Sequence, residues 1–172
     1  NVMKFDAVVV GNHEFDFGQA ILKERIEEAN FPFLGANVEG LSQLQPYIIK
    51  NLDGISIAVI GIVTGDTHTT THPKNVSGLQ FYSPVDTVEK YVRELRAKND
   101  IIVVLSHIGF SADMDLAKKV EGIDVIVGGH SHTKVAKPVV VGKTYIVQAF
   151  EHGKALGVLD LTVKNGSIVQ AD

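Results

Sequence analysis

The sequence predicts an α/β fold of the layered α+β type, a mixed sheet flanked by helices, and three observations carry that expectation. Residues 7–10, 101–105 and 124–127 are short runs dominated by β-branched apolar side chains, the pattern of strands buried on both faces. Val88, Tyr91, Val92 and Leu95 recur at helical spacing between two of those runs, which gives one amphipathic helix. Asp53-Gly54 and Asn165-Gly166 each separate two strand-like segments, and such dipeptides close hairpins because both positions tolerate positive φ.

In chain order, the first strand at 7–10 leads to a weaker helical stripe, Leu22, Ile26 and Ala29, after Asp16. Residues 47–63 read as two strands joined at Asp53-Gly54. The strongest helix follows Ser83-Pro84-Val85-Asp86, which offers an N-cap, a first-turn proline and a first-turn carboxylate. Met114, Ala117 and Val120 mark another helix after Ser111, ending at Gly122. The chain closes in β structure: 139–141, a Gly142-Lys143 turn, 145–149, 156–163, then Asn165-Gly166 and 167–170. No repeat, low-complexity tract or long linker divides the chain, so residues 1–172 are expected to form one unit.

Composition narrows the chemistry. Lys+Arg 16 against Asp+Glu 20 gives a net charge of −4, without the clustered basic surface that a nucleic-acid polymer requires. With no cysteine, any metal must be held by His, Asn or carboxylates. The longest apolar stretch, 55–63, falls far short of the roughly 20 residues that span a bilayer.

Three strands run directly into histidine: Gly11-Asn12-His13-Glu14 after the first, Ser106-His107 after the second, and Gly128-Gly129-His130-Ser131-His132 after the third. Ligands in open α/β sheets collect beyond the carboxyl ends of strands, where several loops reach one crevice. A shared site follows if the three strands are parallel neighbours. His130 and His132 are two apart, so in an extended segment both rings would face one side. Neutral imidazole is a common metal ligand, compatible with zinc, manganese, cobalt and related ions. Other features carry less. Asn12-His13 could be a turn, and Asp16 the N-cap of the following helix. His68 and His72 are four apart, but Pro73 and the threonines between them read as an exposed loop. His152 after a strand is ambiguous, the structural role favoured. Lys118-Lys119 is a solvated face, and no glycine cluster has phosphate-loop spacing.

The successive motifs Gly11-Asn12-His13-Glu14-Phe15-Asp16-Phe17-Gly18, Ser106-His107 and Gly128-Gly129-His130-Ser131-His132-Thr133 resemble those of the calcineurin-like metallophosphoesterases, in their 5′-nucleotidase branch. The likeness continues through residues 76–79, 146–149 and 153–161. It implies a metallophosphoesterase-type β-sandwich of mixed sheets flanked by helices. It also implies two divalent cations of the Mn, Zn, Mg or Co class about 3.5 Å apart, which polarise a phosphate under in-line attack by water. On this resemblance Asn12, His107 and His130 match ligands of the second metal, and His132 the position that reaches the first. His13 matches the residue that stabilises developing negative charge, Asp16 the carboxylate that orients it, and Asn12 and His13 together touch substrate.

In the family an Asp-x-His motif at the end of the first strand and, later, a Gly-Asp whose carboxylate bridges the metals come ahead of the Gly11 motif; neither stands ahead of Gly11 here, so the expectation is an N-terminally incomplete catalytic domain. Both motifs should lie upstream of Asn1, with residues 1–6 the tail of a helix. Two dications 3.5 Å apart repel by roughly 19 kcal/mol at an effective dielectric of 20, and the matched ligands are neutral. The chain alone is therefore expected to hold at most one metal and to hydrolyse little. A C-terminal nucleotide-binding domain is expected in the parent but absent here. The implied substrates are nucleoside monophosphates, nucleotide sugars or cyclic nucleotides, and the implied location is periplasmic, cell-surface or secreted. The alternative is a non-catalytic module in which Asn12, His107, His130 and His132 hold one structural ion.

Overall fold

The chain is described from a computed structural model that covers residues 1–172. Its elements are β1 (Val8–Val9), α1 (Gly18–Glu28), β2 (Phe33–Leu34), β3 (Val38–Glu39), β4 (Tyr47–Leu52), β5 (Ile55–Val63) and α2 (Thr67–Thr70). They continue with β6 (Gln80–Phe81), α3 (Pro84–Leu95), β7 (Ile101–His107), α4 (Phe110–Lys119), β8 (Val125–Gly128), β9 (Val139–Val141), β10 (Thr144–Gln148), β11 (Leu161–Lys164) and β12 (Ser167–Ala171). Six strands form the central sheet in the order β4-β5-β7-β8-β10-β9. The inner strands β5, β7, β8 and β10 run parallel, and β4 and β9 close the edges antiparallel. The mixed sheet flanked by helices is the one the sequence predicts.

Local chemistry accounts for most boundaries. Ser83 caps α3 by accepting from the Asp86 amide at 3.3 Å, with Pro84 at its first position. Asp53 and Gly54 both take positive φ, 49° and 83°, as do Asn165 and Gly166 at 51° and 70°, so both hairpins turn as their dipeptides require. The differences from expectation lie at the ends of the chain. Residues 1–6 form a turn closed by Lys4 N–H on the Asn1 carbonyl at 3.2 Å, not a helix. Of the run 156–163 only its end joins β11, because Leu156 and Val158 are exposed and meet no sheet partner.

The pleat divides the sheet's two faces. Ala58, Ile60 and Ile62 of β5, Ile102 and Val104 of β7, Ile126 and Ile146 pack with Val88, Val92 and Leu95 of α3 and Leu116 of α4. Their parity puts the alternate residues on the opposite face. There Val63 joins a smaller core with Val10, Phe15, Leu22, Leu41 and Val76. At its C-terminal end β7 therefore sends Ser106 toward α4 and His107 the other way. Arg96 fixes the opposite end of the sheet, bonding the Asp124 carboxylate at 2.6 Å and the Asn99 carbonyl at 2.7 Å.

Asp113 of α4 is fully buried. Its Oδ1 accepts from the Ser106 hydroxyl at 2.5 Å, while Oδ2 has no partner. Burial pushes its pKa up from 3.8 to about 6, against the Ser106 hydrogen bond, which lowers it. The folded state thus holds this proton more tightly than the unfolded chain does. Stability should fall as pH rises from about 4 to about 6, by about 3 kcal/mol from this group, and then level off. Asp113→Asn, which keeps an acceptor for Ser106, should flatten that slope; parallel slopes for the two proteins in thermal melts from pH 4 to 7 would refute the assignment.

Candidate functional site

β1 ends at Val9, and past Val10 and Gly11 residues Asn12–Phe15 turn into a 3-10 helix. The Gly11 amide donates to Glu14 Oε2 at 2.5 Å, tying the start of the turn to its own third residue. This brings the buried Asn12 side chain to the ends of β7 and β8. Asn12 Oδ1 lies 3.1 Å from His107 Nε2 and 3.2 Å from His130 Nδ1. The two rings meet edge to face with centroids 5.1 Å apart. Thus three of the four residues matched to metal ligands converge on one point.

The convergence is not built from three neighbouring strands. β7 and β8 are parallel neighbours, but β1 pairs with β2 in a separate two-stranded sheet. β1 approaches the main sheet through a close contact instead. A Cβ on Gly11 would lie 2.6 to 2.8 Å from three atoms of the His107 ring, so the imidazole packs directly over this glycine. A Cβ on Gly129 would lie 3.2 Å from His107 Nδ1. Space around the ring thus requires a glycine at position 11, while a side chain at 129 would press on the ring by only a few tenths of an ångström.

His107 is half-buried, and its pKa is lowered to about 4, first by desolvation and then by the charges of His130, His13 and His132. His130 is lowered by the same causes, burial first. Both rings are therefore neutral near pH 7 and keep a lone pair for a cation. Separations of 3.1 and 3.2 Å match the edge of a coordination shell with bonds of about 2.1 Å. One amide oxygen and two neutral imidazoles thus fit a divalent ion of the zinc or manganese class.

His13 stands exposed beside this point. Its Nδ1 is 2.7 Å from Asp16 Oδ2, and Asp16 Oδ1 accepts from Thr71 Oγ1 at 3.0 Å. Asn75 donates to the Asp16 carbonyl at 2.8 Å. The hydrogen bond from His13, and then that from Thr71, hold the Asp16 carboxyl below its usual value against the cost of burial. Asp16 is not the cap of α1, which begins after Phe17 without a side-chain cap.

His132 goes elsewhere. Both His130 and His132 have positive φ, 71° and 54°, so the segment is not extended and the rings diverge. His132 Nδ1 meets Glu151 Oε2 at 3.0 Å, and His152 Nε2 lies 3.7 Å from the same oxygen. Sequence reasoning missed Glu151 and Thr71, since neither stands in a spaced motif. Asp66, whose charge opposes the lowering of His130, was equally invisible. His68 and His72 are exposed; the first sits on the short helix α2 and the second caps the Pro73–Val76 turn by accepting from the Lys74 amide at 3.3 Å.

Fold and donor set together define a layered α/β protein with a candidate divalent-cation centre at its strand ends. The chain belongs to the calcineurin-like phosphoesterase family, whose family model matches residues 2–134. It is similar to the 5′-nucleotidase of Vibrio cholerae, 35% identical over 95% of this chain and 36% of that protein. The trifunctional nucleotide phosphoesterase protein YfkN of Bacillus subtilis is 33% identical over 100% of this chain and 14% of its own length. Among solved structures, a 5′-nucleotidase precursor from Thermus thermophilus superposes with a TM-score of 0.91 at 33% identity, over 99% of this chain and 38% of that one. The chain thus spans well under half the length of these relatives.

Gly11→Ala tests the close approach. It should displace the His107 ring, weaken Zn2+ or Mn2+ binding at least tenfold, and lower stability by about 1–3 kcal/mol. Titration calorimetry with thermal melts reads both, and an unchanged affinity would show that the ring does not need this glycine.

Proposed function

We propose that this chain is the part of a metal-dependent nucleotide phosphohydrolase, of 5′-nucleotidase type, that carries the strand-end ligands. The observation that supports this best is the meeting of Asn12, His107 and His130 beside the His13–Asp16 pair. In this reading the parent protein hydrolyses a phosphate ester of a nucleoside monophosphate, nucleotide sugar or cyclic nucleotide. Its supporting context is the relatives' own names, 5′-nucleotidase and nucleotide phosphoesterase. An exported location belongs to the same reading.

Asn12, His107 and His130 would hold one divalent ion, and His132 would reach toward another. When bound, such ions supply Lewis-acid activation of the phosphoryl group and of the attacking water. His13 acts from the protein side. Its Nδ1 is engaged by Asp16, so a proton on Nε2 makes the ring a cationic donor to a phosphoryl oxygen as charge builds there. Asp16 fixes the ring's orientation and balances its charge, and Thr71 and Asn75 hold Asp16 in turn. Asn12 touches both the ion and the substrate. No carboxylate groups with His107 and His130, so this chain alone is proposed to hold at most one ion at that point and to turn over little. The upstream carboxylates and a C-terminal nucleotide-binding domain belong to the parent.

Phosphate release from AMP, UDP-glucose and 2′,3′-cyclic AMP with Mn2+, measured on the protein that carries this chain, tests the reading. His13→Ala should lower kcat by roughly 10²–10³-fold with little change in KM, and Asp16→Asn should lower it by about tenfold. Equal rates for His13→Ala and the native protein would remove His13 from the chemistry. Metal binding without phosphate release from any of the three would leave a non-catalytic cation module.

A further inference from the structure

We propose, resting on the reading of Asn12, His107 and His130 as ligands of one ion, that Ser131 is a positioning residue whose hydroxyl clamps the backbone turn that aims His130 at Asn12. His130 has φ 71°, and the Ser131 amide donates to the Gly129 carbonyl at 2.9 Å. A hydrogen bond between residues two apart, with positive φ at the residue between them, is the rare and strained form of the γ-turn. A side chain with a Cβ avoids that conformation. The chain nevertheless places an imidazole there, and such a turn persists only where its surroundings hold it.

The Ser131 hydroxyl supplies that hold. α4 opens at Gly109, which has no side chain with which to cap the helix. The Phe110 amide donates instead to Ser131 Oγ at 3.0 Å, so the cap comes from the loop after β8. The same hydroxyl donates to Gln148 Oε1 at 3.2 Å and pairs with Thr133 Oγ1 at 2.9 Å. With its one proton on Gln148, it accepts from Phe110 and from Thr133, and its capacity of one donor and two acceptors is filled. Gln148 is itself buried at the end of β10, opposite Gly128 of β8. α4, β10 and the loop after β8 therefore meet on one oxygen, immediately beside the strained residue.

The start of α4 also touches the ring. A Cβ on Gly109 would stand 3.5 Å from the Ser131 Cβ and 3.6 Å from His130 Cδ2, ordinary van der Waals contact. Capping the helix with Ser131 thus fixes the helix end and the imidazole against each other. His130 Nδ1 then lies 3.2 Å from Asn12 Oδ1. An amide oxygen only accepts, so this nitrogen carries the ring proton in the metal-free chain. Ligand side chains whose orientation is set by a supporting layer of hydrogen bonds bind more tightly than free ones.

Imidazole 15N spectra of the metal-free full chain, with His130 assigned from His130→Ala, and calorimetric titration with Zn2+ decide the matter. The native chain should hold His130 in the Nδ1–H form. Ser131→Ala should shift that ring toward the Nε2–H form an unconstrained histidine favours, and weaken Zn2+ binding at least tenfold. Ser131→Thr, which keeps the hydroxyl, should restore both. Ser83→Ala removes the cap of α3 and serves as the control: it should lower Tm by about 2–4 °C, as Ser131→Ala does, and change neither readout. In a His130→Ala background, Ser131→Ala should cost no further affinity. An unchanged His130 tautomer in Ser131→Ala would overturn the inference, and so would an equal loss of affinity in the His130→Ala background. Failure of the native chain to bind Zn2+ would count against the ligand reading of Asn12, His107 and His130, while the tautomer comparison would still decide the role of Ser131.

Discussion

The His107 imidazole packs over Gly11, and the rest of the centre takes its position from that contact. β1 shares no hydrogen-bond ladder with the strands that carry His107 and His130, so something other than pairing must set how closely it approaches. A side chain at position 11 would overlap the ring. Its absence lets the Asn12 turn come within 3.1 Å of one imidazole and 3.2 Å of the other. Gly129 extends the same tolerance on the far side of the ring. Interiors pack too densely to absorb an added methyl at such a point.

One strand joins the core to the centre. β7 presents Ile102 and Val104 to the helices and its alternate residues to the other face, so Ser106 and His107 sit back to back. Ser106 engages the buried Asp113 and His107 engages Asn12. Gly128 belongs to the same layer, since a Cβ there would collide with the Asp113 carboxylate. The polar groups beneath the loop at 128–133 and the donors above it are therefore supported by the same two strand ends. That loop continues through Ser131, which accepts from the Phe110 amide at 3.0 Å and contacts Gln148 at 3.2 Å.

Charge is distributed in the same economical way. His107 and His130 are kept neutral first by burial and then by neighbouring imidazoles, His13 and His132 acting on both, whereas His13 and His132, exposed at the rim, each face a carboxylate. Neutral rings suit a cation, and carboxylate-paired rings are fixed in orientation. A single sequence stretch, Gly128-Gly129-His130-Ser131-His132, supplies one ring of each kind because positive φ at both histidines turns them apart.

The sequence by itself determined the elements with strong local signals and the residue types of the centre. The Asp53-Gly54 and Asn165-Gly166 turns, the Ser83-capped helix and the β-branched strands were legible because each is set by near neighbours. So were Asn12, His13, Asp16, His107 and His130, because they stand in spaced motifs at strand ends. The two-residue strands β2, β3 and β6 were not legible, since pairs so short exist only where tertiary packing supplies a partner. Pairing among distant side chains was likewise decided by the tertiary structure. His132 with Glu151 and His152, Asp16 with Thr71, and Gly11 beneath His107 are contacts between segments whose approach depends on packing, and no local spacing encodes them. Backbone sign was the last such decision: the extended reading of His130 and His132 failed because φ there is fixed by how two loops close on each other, a constraint that a period of two along the chain does not contain.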